Sequence, residues 1–146
     1  MNGRVWRTGL MALAVLCLCA PAARAQLAAG IREQLYATLA ANLGAFDRKD
    51  VAASMRTIDS RSPDYAPTKQ AIEDQFKDLN VRSEIVSFDY MGHDDEFAVA
   101  RAKVKTTGQP GSDFMNNTVD AVMLFHQGNG TWKLWSEDIV AIDLTP

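Results

Sequence analysis

The hydrophobic pattern of this chain changes period once, near residue 80, and that switch limits the folds open to it. Before it, apolar residues recur every three or four positions; after it, they alternate. Ile31, Leu35, Leu39, Leu43 and Phe46 form one stripe, which predicts a helix over 28–47 with Arg32, Glu33, Gln34, Asn42 and Arg48 on the wet side. Alanine fills much of the remainder and favours helix. Asp47 or Asp50 can cap a short second helix over 50–58, with Val51, Met55 and Ile58 inward. The run Asp59-Ser60-Arg61-Ser62-Pro63-Asp64-Tyr65-Ala66-Pro67 reads as turn. Thr68 can cap a third helix over 69–79 that buries Ile72, Phe76 and Leu79.

Four strands follow. Over 81–90, Val81, Ser83, Ile85 and Ser87 share one face, and Arg82, Glu84, Val86, Phe88 and Tyr90 share the other. Gly92-His93-Asp94-Asp95 turns the chain. Over 96–106, Phe97, Val99, Arg101 and Lys103 oppose Ala98, Ala100, Ala102 and Val104. A polar loop over 107–115 leads to a strand over 117–126 with Val119, Ala121, Met123 and Phe125 on one face. Asn129-Gly130 is a two-residue hairpin signal, because a type I′ turn needs positive φ at both positions. Residues 131–143 supply the last strand, or a pair of short ones. Helices followed by hairpin-linked strands mean an α+β domain on an antiparallel sheet.

The first 25 residues read as a cleaved export signal. Arg4 and Arg7 precede the apolar run Leu10–Ala20, and Ala23-Arg24-Ala25 is a small-x-small cleavage site. The run falls short of the roughly 20 residues that span a bilayer. Cleavage after Ala25 leaves Gln26 first; cleavage after Ala22 is the alternative. Cys17 and Cys19 lie in the leader, each after a bulky Leu rather than the small residue that lipid attachment requires. Residues 26–146 therefore contain no cysteine, disulfide or thiolate. They form one domain, periplasmic or secreted, without a membrane anchor.

Removing Arg4, Arg7 and Arg24 leaves 12 basic against 18 acidic residues, a formal charge of −6. No basic stripe exists, which argues against nucleic acid as a partner. His93-Asp94-Asp95-Glu96 has metal-ligand composition but sits on a solvated turn, and His126 has no histidine at ligand spacing. Neither a metal nor a cofactor is expected. Gly128-Asn129-Gly130 is a hairpin rather than a phosphate loop.

Three landmarks give the chain a family resemblance: Phe46-Asp47-Arg48-Lys49-Asp50-Val51 closing a long helix, Phe76-Lys77-Asp78-Leu79 closing another, and Gly128-Asn129-Gly130-Thr131-Trp132-Lys133-Leu134 at a closing hairpin. Over residues 30–143 it resembles the nuclear transport factor 2-like superfamily, which includes SnoaL-type cyclases and ketosteroid isomerase. The resemblance implies a cystatin-like cone: a curved sheet around the long helix, an apolar pocket at the open end, and a sheet face that often makes a homodimer. The isomerase comparison places Asp59 as a general base and Tyr36 as the hydrogen-bond donor to an enolate. Asp120 stands in for the second, protonated carboxyl of that chemistry. Tyr65, Phe88 and Trp135 are the aromatic candidates for a ligand pocket. Trp132 and Trp135, three apart on a strand, face opposite sides, so one is core. Three readings follow: a binder of a small apolar ligand, an isomerase, cyclase or hydratase using Asp59 and Tyr36, and a non-catalytic association module.

Overall fold

The structure, a computed structural model, describes residues 20–145. Most of the expected leader, residues 1–19, lies outside the described residues. Three helices, α1 (Ala20–Asp47), α2 (Val51–Arg56) and α3 (Tyr65–Asp78), precede β1 (Val81–His93), β2 (Phe97–Gly108), β3 (Asn117–Gly128) and β4 (Thr131–Leu144). The strands form an antiparallel meander in the order β1-β2-β3-β4. The domain is α+β, with its helices set against an open, curved sheet. Among the described residues, no helix is long and apolar enough to cross a membrane.

The stripe on α1 does two things. Ile31, Leu35 and Leu39 are buried against the sheet, where Ala98, Ala100 and Ala102 of β2 offer small side chains and let the helix approach. Leu43 and Phe46, farther along, are only half-buried. Met55, Ile58 and Ile72 form a second cluster between α2 and α3. Phe46 and Phe76 meet edge to face at 4.9 Å and join α1 to α3.

Asp50 caps α2, its side chain accepting from Ala53 N at 2.8 Å. The third helix starts at Tyr65 rather than after Thr68, and Pro67 is accommodated because the first turn has no use for its missing N–H. Asp47 accepts from Ser83 N through both oxygens at 3.0 Å, fixing the end of α1 to the start of β1. Asn129 (φ 52°) and Gly130 (φ 78°) form the expected hairpin turn.

The structure corrects the expected faces of β1. The register slips between Ile85 and Ser87, a bulge that flips the alternation. Phe88 and Tyr90 therefore pair with Ala102 and Ala100 on the inner face, in phase with Ile85 rather than with Val86, which is 56% exposed. β4 is one continuous strand with two slips, at Trp135 and at Val140. Trp132 is the core tryptophan, and Trp135 sits on the bulge.

Candidate functional site

A cavity of about 780 Å³ opens between the last turns of α1, α3 and the concave face of the sheet. Its walls are mostly apolar, with Leu43, Phe46, Ile72, Val104, Met123 and Ile139 among them. The half-buried end of the α1 stripe thus faces empty space rather than core. Asn42, Ser83, Thr106 and Asn117 add polar groups. Asn42 is itself held by hydrogen bonds to Ser54 Oγ (3.1 Å) and Thr57 Oγ1 (2.8 Å). Asn117 Oδ1 is buried without a partner among the described residues, an uncommon state for an amide oxygen.

Glu137 is the acidic residue of the sheet's concave face at this cavity. It pairs with Met123, whose side chain is inward, so it is inward too. It is exposed at the rim. Even so, the protein around its carboxyl disfavours the charged form and pushes the pKa above the ordinary 4.5.

A second cluster lies at the edge of β4. Residues Thr57–Asp59 run alongside it: Asp59 N donates to Leu134 O at 2.8 Å, and Leu134 N donates to Thr57 O at 2.9 Å. Asp59 is 4% exposed as a result. Its Oδ1 accepts from Arg61 N (2.9 Å) and Nε (3.1 Å), and its Oδ2 accepts from Arg61 Nη2 (3.0 Å). His126 Nδ1 lies 2.9 Å from Oδ2 and 2.8 Å from Arg61 Nη2. It donates to the carboxylate when protonated and accepts from the guanidinium when bare. The Arg61 hydrogen bonds hold the Asp59 carboxyl well below the usual carboxylate range, against the opposing effect of burial. Phe97 and Trp135 close over the His126 ring at 4.9 Å and 5.1 Å. A Cβ at Gly128 would come within 2.9 Å of Arg61 Nη2, so this glycine leaves the guanidinium its room.

The expected catalytic pair does not converge on the cavity. Asp59 is absent from the lining and engaged by Arg61 and His126; Tyr36 is 42% exposed on α1 and packs edge to face on Phe88. Asp120 takes a bidentate bond from Arg101, at 2.7 and 2.9 Å, on the convex face. Of the ligand-pocket candidates, Trp135 lines the cavity, Phe88 is core, and Tyr65 borders a separate depression beside α2. Sequence reasoning missed Arg61, His126 and Glu137. Arg61 looked like part of a turn and His126 like a lone strand-end histidine, while Glu137 faces inward only because of the bulge at Trp135.

Comparison with known proteins places this geometry. The family model of the anti-sigma-I factor RsgI9 C-terminal domain matches residues 37–144. No curated protein matches the chain. Among solved structures, an NTF2-like protein with a cystatin-like fold from Novosphingobium aromaticivorans is similar with a TM-score of 0.63 and 13% identity, over 86% of this chain and 90% of that one. A cystatin-like-fold protein from Nostoc punctiforme has a TM-score of 0.63 and 14% identity, over 77% and 90%. A ketosteroid isomerase-like protein from Erwinia carotovora atroseptica has a TM-score of 0.57 and 15% identity, over 75% and 96%. At such identities these structures share the fold alone. With the family match spanning α1 to β4 and the helices cradled in a four-stranded meander, the chain belongs to the family of the RsgI9 C-terminal domain and has the cystatin-like, nuclear transport factor 2-like fold of these structures.

Proposed function

We propose that this protein is an exported binding domain whose cavity holds a small, largely apolar molecule. The observation that carries the reading is the open 780 Å³ cavity, apolar-walled and edged by Glu137. That volume is in the range that takes a small organic ligand. The raised pKa of Glu137 lowers the cost of an apolar ligand settling beside its carboxyl. The leader-like N-terminus supports export, and the family name, a domain of a regulatory factor, favours binding over turnover.

The enzyme reading has less behind it. A general base must be free to take a proton, and Asp59 is saturated by Arg61 and His126 and held ionised. An association role through the sheet, including pairing of two copies on its convex face, is compatible with ligand binding and does not replace it.

The test is native mass spectrometry of the protein purified from an exporting host. A stoichiometric small-molecule adduct, released on denaturation and partitioning into organic solvent, is the expected result. No adduct, together with no uptake from a panel of hydrophobic small molecules, contradicts the reading. Amino-terminal sequencing of the same material, expected to start at Gln26, tests export.

A further inference from the structure

The end of β4 is the least protected part of the sheet. Ile139, Val140, Ile142 and Leu144 are each more than half exposed. β3 pairs one edge of the strand. On the other edge, Thr57–Asp59 covers only Leu134, and among the described residues no backbone group pairs beyond it. Natural sheets blunt such an edge with lysine, proline, bulges or inward-pointing charges. The sequence Glu137-Asp138-Ile139-Val140-Ala141-Ile142-Asp143-Leu144 has no lysine or proline, and only Glu137 at its start and the bulge at Val140 interrupt it. The edge is also demonstrably able to take a strand, since Thr57–Asp59 already hydrogen-bonds to it at 2.8 and 2.9 Å.

We propose that this edge docks an extended segment of a partner protein in which apolar residues alternate with Lys or Arg, adding a strand beyond β4. The register of β4 sets the pattern. Ile139, Ile142 and Leu144 pair with Ala121, Val119 and Asn117 on the concave face, and the bulge at Val140 keeps them in phase. Asp138 and Asp143 pair with Val122 and Thr118 on the convex face. Beyond Glu137, an incoming strand meets apolar side chains on the concave face and carboxylates on the convex one. Asp138 and Asp143 lie on that convex face with no cation among the eight residues, so the complementary strand is basic there.

A second copy of β4 fits less well in the register with most apolar contact. Setting Ile139 against Ile142 of another copy also sets Asp138 against Asp143, twice by symmetry. Like charges directly opposite destabilise a strand pair.

The test uses the purified protein and two fluorescein-labelled peptides, Lys-Ile-Lys-Val-Lys-Ile-Lys and Glu-Ile-Glu-Val-Glu-Ile-Glu, read by anisotropy. The basic peptide is expected to bind saturably and to weaken about tenfold on going from low to high salt, as screened charges do. The acidic peptide is expected not to bind. Asp138→Lys with Asp143→Lys is expected to invert the preference, and Ile142→Lys with Leu144→Lys to remove both, with far-UV circular dichroism unchanged because all four residues lie on the open edge and outside the cavity lining. Failure of the basic peptide to bind, or equal binding of both peptides, overturns the proposal. So does a wild-type dimer in sedimentation equilibrium that Ile142→Lys dissociates, which would assign the edge to a second copy.

Discussion

His126 Nδ1 lies 2.9 Å from Asp59 Oδ2, across 67 residues of sequence, and the contact fastens the segment after α2 to the end of β3. Arg61 completes the fastening from the solvent side, its side chain 60% exposed while that of Asp59 is 5% exposed. Asp59→Asn keeps the shape but exchanges a carboxylate for an amide that cannot accept all of these bonds. The expected cost is about 2–3 kcal/mol of unfolding free energy, the scale of hydrogen bonds to a buried charged group, measured by urea denaturation at neutral pH.

The same pair sets an acid sensitivity. Asp59 titrates below the ordinary 3.8 when folded. Its contribution to stability is therefore complete above that ordinary value and is lost as pH falls through the folded one. Wild type is expected to lose stability below about pH 4 more steeply than Asp59→Asn. Parallel acid limbs in urea midpoints against pH would contradict this.

Glu137 acts in the opposite sense. Its folded pKa is raised, so the charged form is the disfavoured one, and the cost of that charge accumulates as pH rises from the ordinary 4.5 to the folded value and is constant above it. A neutral apolar ligand strips water from the carboxyl, so affinity is expected to fall as pH rises from 4 to 8 and to be flat in Glu137→Gln. The check is probe affinity across pH in both proteins; the same slope in each would remove Glu137 from the site.

Gly130 has φ 78° and open space where a Cβ would stand, so a substitution there meets backbone strain rather than a clash. Gly130→Val is expected to cost about 1–2 kcal/mol. Gly92 has φ 151° on β1, a backbone region that L side chains rarely adopt, so its replacement is expected to cost at least as much. Thermal or urea denaturation of the two variants orders them.

Much of the fold was legible in residue patterning. The α1 stripe, the alternation of β2 and β3 and the Asn129-Gly130 turn are local signals, and each element formed where its signal lay. Phase errors arose where a strand carries a bulge, because one extra residue reverses every later side chain. β4 did hold a clue. Leu134, Ile139 and Ile142 are all apolar, yet no unbroken strand puts those three positions on one face. Two slips, at Trp135 and Val140, reconcile them, and the first turns Glu137 inward. The Asp59–Arg61–His126 cluster was not legible at all. It depends on Thr57–Asp59 pairing with the edge of β4, a contact between distant segments that no local pattern encodes.

Thr106 is half-buried on the inner face of β2 and lines the cavity between Ser83 and Asn117, its strand partners. Thr106→Trp fills that space without disturbing the packed core beneath α1. The most direct measurement is a fluorescence titration of N-phenyl-1-naphthylamine, a neutral apolar probe, into wild type and Thr106→Trp. A cavity that binds apolar molecules requires saturable one-site binding to wild type, weakened at least about tenfold in the variant, a loss of roughly 1.4 kcal/mol. No saturable binding to wild type, or equal binding to both proteins, would contradict it.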